Sequence, residues 1–384
     1  MTVSIAAVIP TRNRPALAMK TVASLLEQQS DAAIFLSDNS TSPGTLSAFC
    51  GEHPAVRYCR PPGELAIAPH WDWAVRRALE QSAATHFLVH RDRTWWKNGS
   101  LQTLIEAAGR WPDSLLTFGA DSITDTPPPL RLWQMPWTGR GFDIRSARVA
   151  SLIAAGRVAE CAHALPNLAA ALVPRAILES IAARFGDVCN STGPDVAFVM
   201  RFLALYDSYV HLDVALAVVF APQQSTTLAA HRGEPDAARE FAQLDAAPIP
   251  HLNLGYSILF HEYQRVRRLT GHRLPPLDHA ACVNEIAKAL PWIPPPRRAA
   301  VEQRLRAEGW SGRADWPPAA SWLRGMVARG RLLRAHFGVA PETISGVAFR
   351  TDSAALEAAL RYPRRRQATH EHMTPFEPRS LGPM

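Results

Sequence analysis

The first forty residues constrain the fold of this chain more than any other segment. Residues 3–9 form a run of small and β-branched apolar residues that ends at Pro10, as expected of an interior parallel strand. A polar turn follows, and residues 16–28 then carry apolar side chains near helical spacing. The apolar run 34–36 predicts a second strand. This order predicts a βαβ unit, and therefore an α/β fold with a mixed, mostly parallel sheet flanked by helices.

Polar residues follow both of these strands where they end. The first strand leads into the turn 11–15, and the second leads into Ser37, Asp38, Asn39 and Ser40. Ligands of open α/β sheets bind beyond the carboxyl ends of the strands, so a binding site is expected there. The glycine fingerprint of dinucleotide-binding folds is absent, which argues against NAD or FAD.

A third strand, predicted at 87–89, delivers a carboxylate to the same edge of the sheet. Asp92 follows this strand, and residues 98–100 then turn the chain into an amphipathic helix that starts at Leu101. The next residue is Arg93, where a second carboxylate would be expected if a divalent cation were held against a diphosphate. If the strand runs that far, alternation would direct His90 and Asp92 to one face and Arg91 and Arg93 to the other.

Composition limits the class of protein and of ligand. The 384 residues are 47% hydrophobic and carry a net charge of +7, and the pI near 9.5 favours anionic ligands or surfaces. The five cysteines are scattered without metal-ligand spacing, as in a reducing compartment. No signal peptide precedes the first strand, and no apolar run approaches the about 20 residues needed to span a bilayer. These features predict a cytoplasmic protein without a transmembrane segment.

Five segments, taken in order, resemble the family 2 glycosyltransferases, which have the GT-A fold. They are the strand with Pro-Thr-Arg-Asn-Arg-Pro at 10–15, the Ser-Asp-Asn-Ser-Thr segment at 37–41, Ala-Pro-His-Trp-Asp-Trp-Ala at 68–74, the strand with Asp92 and 98–101, and Gly-Pro-Asp-Val-Ala-Phe at 193–198. The resemblance covers roughly residues 3–225. It implies a GT-A-like domain and a role in bacterial polysaccharide or glycoconjugate synthesis.

The resemblance also implies roles for individual residues. Asp195 corresponds to the catalytic base that takes a proton from the acceptor hydroxyl while the anomeric carbon inverts. The residues implied to bind the nucleotide-sugar donor are Pro10, Thr11, Arg12, Asn13, Asp38, Asn39, His70 and Asp92. Asp38 would contact the base and Asp92 the ribose. The acceptor would be a glycan, a lipid-linked molecule or a small molecule.

Four positions depart from the family pattern, and one of them bears on metal use. Arg12 replaces a common aromatic residue, His70 replaces Asn, Thr94 replaces a polar or acidic residue, and Arg93 replaces the acid that reaches the metal. A guanidinium binds phosphate oxygens in pairs and stays charged, so Arg93 is expected to neutralise the diphosphate with help from Arg91, His90 or Arg140. We therefore expect no metal, with Mn²⁺ or Mg²⁺ as the alternative. The same substitution would also fit a catalytically degenerate binding or scaffolding protein.

Each candidate residue has a structural alternative. Asp38 could form a local Asx-turn, Asp92 could pair with Arg91 or Arg93, and Asp195 could simply occupy the first turn of a helix. Asp187 and then Asp143 are weaker candidates for the base. Trp133, Trp137 and Arg140 lie in a Pro- and Gly-rich segment predicted to be a loop, which would either line an acceptor groove or cover the surface.

The remaining chain predicts three regions. Residues 1–235 would form the catalytic domain, in which 210–220 supply a late strand. Residues 236–360 would form a C-terminal helical appendage, with helices at 258–269 and 299–307 between Pro-rich breaks. Residues 361–384 would form a basic, flexible tail. Its arginines could instead contact a membrane surface or nucleic acid.

Overall fold

Ten strands form one mixed sheet in the computed structural model, which describes residues 2–124, 131–133, 137–221, 244–252 and 254–312. The order across the sheet is β3-β2-β1-β4-β9-β6-β10-β5, with β7 added beside β6 and β8 beside β10. Strands β1 to β4, β6 and β10 share one direction, and the other four run opposite to it. The strands are β1 (Ile5–Thr11), β2 (Ala33–Asp38), β3 (Val56–Cys59), β4 (His86–Val89), β5 (Thr94–Trp96), β6 (Leu116–Thr124), β7 (Arg131–Trp133), β8 (Gly141–Arg145), β9 (Ala171–Pro174) and β10 (Ser208–Ala221).

Helices cover both faces of this sheet. Alternate residues of β1 enter opposite layers: Ala6 and Val8 join one hydrophobic cluster, while Ile5, Ala7 and Ile9 join the other. Burial on both faces explains why β1 reads as a continuous apolar run. The helices are α1 (Pro15–Leu26), α2 (Gly44–Glu52), α3 (Ile67–Gln81), α4 (Ser100–Arg110), α5 (Ser146–Ala154), α6 (Arg175–Phe185), α7 (Pro194–Leu205), α8 (Gly255–Leu269), α9 (His279–Ala287) and α10 (Pro295–Ala307).

The predicted βαβ unit is confirmed, because β1 and β2 are parallel neighbours joined through α1. The expected end of β1 at Pro10 is wrong by one residue. Thr11 still pairs with Asp38 in the parallel register, and its carbonyl accepts a hydrogen bond from Asn39 N at 3.0 Å. Proline removes one donor but leaves its carbonyl free, so a strand can pass through it.

The segment with three consecutive prolines is not entirely a loop. Arg131–Trp133 forms β7, which pairs antiparallel with the end of β6. The predicted late strand is confirmed as β10, which is the longest strand described and pairs with β5, β6 and β8.

The C-terminal helices share the core of the sheet. Phe260 and Tyr263 of α8 belong to the same buried cluster as Val8 and Phe87 of the central strands. The predicted boundary near residue 235 and the predicted tail at 361–384 lie outside the described residues. Within the described ranges, no helix combines the length and apolarity required to cross a membrane.

Candidate functional site

A cleft of about 270 Å³ opens at the carboxyl ends of β1 and β4. Its walls come from the end of β1, the turn between β4 and β5, and the first turns of α3, α7 and α8. Nine of its lining residues are predicted site residues or the predicted helper Arg91: Pro10, Thr11, Arg12, Asn39, His70, Arg91, Asp92, Arg93 and Asp195. The fold thus gathers segments distant in sequence around one cavity.

Asp92 is a buried carboxylate with one oxygen left unpaired. Its Oδ2 accepts a hydrogen bond from Thr11 Oγ1 at 2.7 Å and lies 3.0 Å from Arg14 Nε. Its Oδ1 is buried and has no hydrogen-bond partner among the described residues. The partner of Asp92 is therefore Arg14, not Arg91 or Arg93. A buried acceptor without a partner is costly, so Oδ1 is suited to receive a donor from a ligand.

Arg91, Asp92 and Arg93 all line the same cleft, so the alternation of faces that was expected if the strand ran that far does not apply. The physical reason is that β4 ends at Val89, and Asp92 and Arg93 lie in the turn before β5. A turn does not direct successive side chains to opposite faces. Both arginines can therefore act on one ligand.

The guanidinium of Arg93 is held in place by the sheet. Its Nη1 donates to Phe220 O at 2.8 Å, and the backbone of Phe220 donates to Arg93 O at 3.0 Å. Burial, together with the nearby charges of Arg91 and Arg14, lowers the pKa of Arg93 to about 10. Arg93 thus remains a cation at neutral pH. An anion bound in the cleft would reduce its repulsion from Arg91 and Arg14.

His90 does not supply the positive charge expected of it. It is fully buried, and burial lowers its pKa to about 4. Its Nδ1 lies 3.2 Å from Arg91 O, and its ring meets Trp96 edge-on at 5.4 Å. His90 is therefore neutral near pH 7, and its side chain stabilises the turn through the contact with Arg91 O.

Asp195 stands at the start of α7 and meets Arg91 across the cleft. Its Oδ2 accepts from Arg91 Nη2 at 2.7 Å and from Asn167 Nδ2 at 3.5 Å, while its Oδ1 accepts from Val196 N at 3.0 Å. The ion pair joins residues 104 positions apart. The side chains of Arg91 and Asp195 are 27% and 23% exposed, so a ligand in the cleft can reach both.

Asp38 lies behind the cleft, where its carboxylate is occupied by the protein. Its Oδ1 accepts from Ser40 N at 2.8 Å, which is the Asx-turn arrangement. Its Oδ2 accepts from Tyr58 Oη at 3.0 Å and lies 3.9 Å from Arg60 Nη1. The side chain is fully buried. Asp38 thus supports the turn after β2 and does not line the cleft, and its predicted contact with the base stays a prediction.

Three other predicted binding residues organise the loops around the cleft. Asn39 donates to Leu65 O at 2.6 Å and accepts from Leu65 N at 3.1 Å, so it clamps the chain that precedes α3. Arg12 donates to the same carbonyl at 3.2 Å and pairs with Glu64. Asn13 has a positive φ of 57° and accepts from Thr41 N at 3.0 Å; it does not line the cleft.

His70 lines the cleft as a neutral side chain. Burial lowers its pKa to about 4, and its Nε2 lies 2.8 Å from Ser37 Oγ at the end of β2. It can therefore exchange hydrogen bonds with a ligand without contributing charge at neutral pH.

Two of the three predicted acceptor residues, Trp137 and Arg140, lie away from this cleft. Trp137 Nε1 donates to Asp121 Oδ1 at 3.1 Å, and its ring packs so closely on Gly119 that an added Cβ there would lie 2.3 Å from Trp137 Cζ3. Arg140 is exposed beside β8, and the side chain of Trp133 lies outside the described residues. Neither Trp137 nor Arg140 lines the cleft.

The two weaker base candidates also lie elsewhere. Asp187 pairs with the buried Arg201 at 2.5 Å, and Asp143 lies 3.4 Å from the exposed Arg145. Asp195 is the candidate base that reaches the cleft.

Several cleft residues were missed by sequence reasoning. Arg14 could have been recognised, since it lies in the same strand-end turn as Thr11. Gly255 and Ile258, in the first turn of α8, carry no local signal because only tertiary packing brings them to the cleft. The same is true of Asn167, which does not line the cleft but donates to Asp195.

The carboxylates of the cleft do not form a metal site by themselves. Across the described ranges, no group of three or more His, Cys, Asp or Glu side chains is placed to hold a metal ion. Asp92 and Asp195 face a cleft that also holds Arg12, Arg14, Arg91 and Arg93. This donor set suits an anion rather than a divalent cation.

Comparisons with known proteins give a likeness to solved structures only. No family model matches the chain, and no curated protein matches it. The chain is similar to TarS from S. aureus, with 12% identity and a TM-score of 0.44, over 80% of this chain and 53% of the TarS chain. It thus spans about half the length of that protein.

Two structures of TarS residues 1–349 show the same likeness. The complex with UDP-GlcNAc has 11% identity and a TM-score of 0.45, and it covers 88% of this chain and 93% of the fragment. The complex with UDP has 11% identity and a TM-score of 0.44 over the same shares. At these values the likeness is one of general α/β architecture.

Proposed function

We propose that the chain is an inverting glycosyltransferase of family 2, with a GT-A-like domain that binds a nucleotide-diphosphate sugar in the cleft. The observation that carries the proposal is that Asp195 meets Arg91, Asp92 and Arg93 at one cleft, although Asp195 lies 104 positions after Arg91 in the chain. The same residues belong to motifs that resemble this family in the same order along the chain. A resemblance on sequence alone would not require these motifs to converge.

The residues divide the reaction between them. An acceptor hydroxyl attacks the anomeric carbon from the side opposite the diphosphate. The new carbon–oxygen bond forms as the bond to the phosphate oxygen breaks, and the hydroxyl proton passes to Asp195. Oδ1 of Asp92, which has no hydrogen-bond partner among the described residues, accepts a hydrogen bond from a hydroxyl group of the donor. The expected hydroxyl is one of the ribose.

The departing diphosphate needs positive charge, which the arginines supply. Arg93 is fixed by Phe220 O and remains charged, so its cation is in place before the reaction begins. Arg14 and Arg91 line the same cleft. We therefore propose turnover without a divalent metal.

Nucleotide binding is the first test of the proposal. Calorimetry against UDP, GDP, dTDP and CDP would show binding of at least one, and UDP is the first probe because it occupies one of the TarS structures. Binding that weakens on Asp92→Ala would place the nucleotide in this cleft. If no nucleoside diphosphate binds, the proposed site is wrong.

Release of the nucleoside diphosphate from its sugar donor tests catalysis. Asp195→Asn should abolish release while nucleotide binding persists. Asp143→Asn is the matched control, because this carboxylate lies off the cleft and pairs with exposed Arg145. Nucleotide binding without any release from the wild-type chain, whatever donor or acceptor is supplied, would favour the alternative of a catalytically degenerate binding protein.

A further inference from the structure

Arg91 differs from the other cleft arginines in what holds it. Arg93 is bonded to Phe220 O, Arg14 lies against Asp92, and Arg12 pairs with Glu64. The guanidinium of Arg91 has a single hydrogen-bond partner among the described residues, Oδ2 of Asp195. Among the described residues, Arg91 is therefore the cleft arginine whose side chain hydrogen-bonds to the candidate base alone.

This tie occupies the atom that the reaction needs. Oδ2 of Asp195 accepts from Arg91 and Asn167, and Oδ1 accepts from the backbone of Val196. An acceptor hydroxyl must come within hydrogen-bond distance of a carboxylate oxygen to lose its proton. Three donors already hold the carboxylate of Asp195, so an acceptor hydroxyl would have to compete with Arg91 for Oδ2.

A diphosphate in the cleft would compete for Arg91. Guanidinium groups bind phosphate oxygens in pairs, and a diphosphate carries more negative charge than one carboxylate. Arg91 and Asp195 are both part-exposed, so their ion pair is of the kind that costs little to break. Asp92 and Arg93, the next two residues in the turn, are already fixed at the cleft.

We propose that Arg91 exchanges Asp195 for the donor diphosphate, so that donor binding uncovers the base. The inference rests on the proposed function and adds to it an order of events. The base becomes available to an acceptor hydroxyl only after the donor is in place. Arg91 thereby contacts the donor and also keeps Asp195 inactive until then.

A double-mutant cycle on UDP affinity tests this exchange without requiring turnover. Calorimetry is run at constant salt on the wild-type chain, Asp195→Asn, Arg91→Ala and the double variant, with Arg91→Gln as a second replacement. Asp195→Asn should tighten UDP binding about two- to five-fold, because breaking a part-exposed ion pair such as Arg91–Asp195 changes an equilibrium by about that factor. Arg91→Ala should weaken binding about ten-fold or more, as expected for the loss of a hydrogen bond to a charged group.

The double variant separates exchange from a general effect of charge. With Arg91 absent, Asp195→Asn should give no tightening. Equal tightening in both backgrounds would mean that Asp195 acts through its field alone, and it would overturn the inference. Unchanged UDP affinity in Asp195→Asn would overturn it as well. Both results would leave the proposed nucleotide site standing.

Two controls complete the design. Uridine, which has no phosphate, should bind Asp195→Asn and the wild-type chain equally. Arg157→Ala and Glu160→Gln break a similar surface pair, at 2.6 Å, and should leave UDP affinity unchanged. If none of UDP, GDP, CDP and dTDP binds the wild-type chain, the proposed function is wrong and so is the proposed exchange. If one of the others binds and UDP does not, that nucleotide replaces UDP in the double-mutant cycle.

Discussion

Arg93 is the residue on which the proposed chemistry depends most. It takes the position where the resembling family carries a metal-reaching acid, and the structure fixes it from two sides. Its side chain donates to Phe220 O, and its backbone carbonyl accepts from Phe220 N. A cation held this rigidly loses little on reorganising when charge develops, which is the requirement for electrostatic catalysis.

Arg93→Ala is expected to lower turnover by about 10²-fold or more, the scale seen when a single preorganised donor is removed. Turnover of the wild-type chain should persist in EDTA. Nucleoside diphosphate release measures both. Arg145→Ala, which removes an exposed arginine away from the cleft, should not change the rate. Loss of activity in EDTA with recovery on adding Mn²⁺ would show that a metal carries the charge instead.

At the scale of elements, a buried ion pair joins the end of β5 to β6. Lys97 Nζ lies 2.7 Å from Asp121 Oδ2, with the two side chains only 2% and 1% exposed. The other oxygen of Asp121 accepts from Trp137 Nε1. The pair therefore ties the strand after the Asp92 turn to the strand that carries β7.

Lys97→Met should lower the free energy of unfolding by about 3–5 kcal/mol, because it removes the ammonium group that neutralises the buried charge of Asp121. The double variant with Asp121→Leu should recover part of this loss. Urea unfolding measures both. Arg306→Ala, which breaks an exposed pair with Glu302 at 3.7 Å, should cost about 1 kcal/mol or less. A Lys97→Met loss as small as that control would contradict the assignment of a buried pair.

At the scale of the whole molecule, buried histidines couple stability to pH. Burial lowers the pKa of His70 and of His90 to about 4, from 6.5. Between pH 4 and 6.5, these two histidines are protonated in the unfolded chain but remain neutral in the folded chain. Stability is therefore complete above about pH 6.5 and is lost as the pH falls toward 4. Buried Glu262 and Glu285, whose pKa values are raised by burial, act in the opposite sense above pH 4.5.

His90→Phe isolates one of these contributions. It keeps a ring against Trp96 and removes the titration, so the pH dependence of the free energy of unfolding should become shallower by about 1.4 kcal/mol per pH unit between pH 4.5 and 6. Urea unfolding at several pH values measures the slope. The exposed His279, replaced by Gln, serves as the control. A slope identical to that of the wild-type chain would mean that His90 is protonated in the folded state.

Much of the architecture could be predicted from sequence because it depends on local patterns. The run ending near Pro10 became β1, the helical spacing after Pro15 became α1, and the segment after Gly99 became α4. Asp92 and Asp195 were found at a strand end and a helix start, since a strand or helix end carries its own sequence signal. The position of Asp92 at the cleft follows from the direction of the parallel strands, whereas Asp195 reaches it through the packing of α7.

The partners of these residues were decided by tertiary structure alone. Nothing local indicates that Arg91 would meet Asp195, that Arg14 would take Asp92, or that Phe220 would hold Arg93. For Asp38, the local bond from Ser40 N is the Asx-turn that the sequence offered as an alternative, whereas the bond from Tyr58 Oη depends on tertiary packing. Sequence determines which groups stand at the ends of strands, because hydrophobic period and turn residues act over a few positions. The pairing of each charged side chain with its partner is set by the packing of segments that lie far apart in the chain. Such pairing is necessary because a buried charge without a partner is costly.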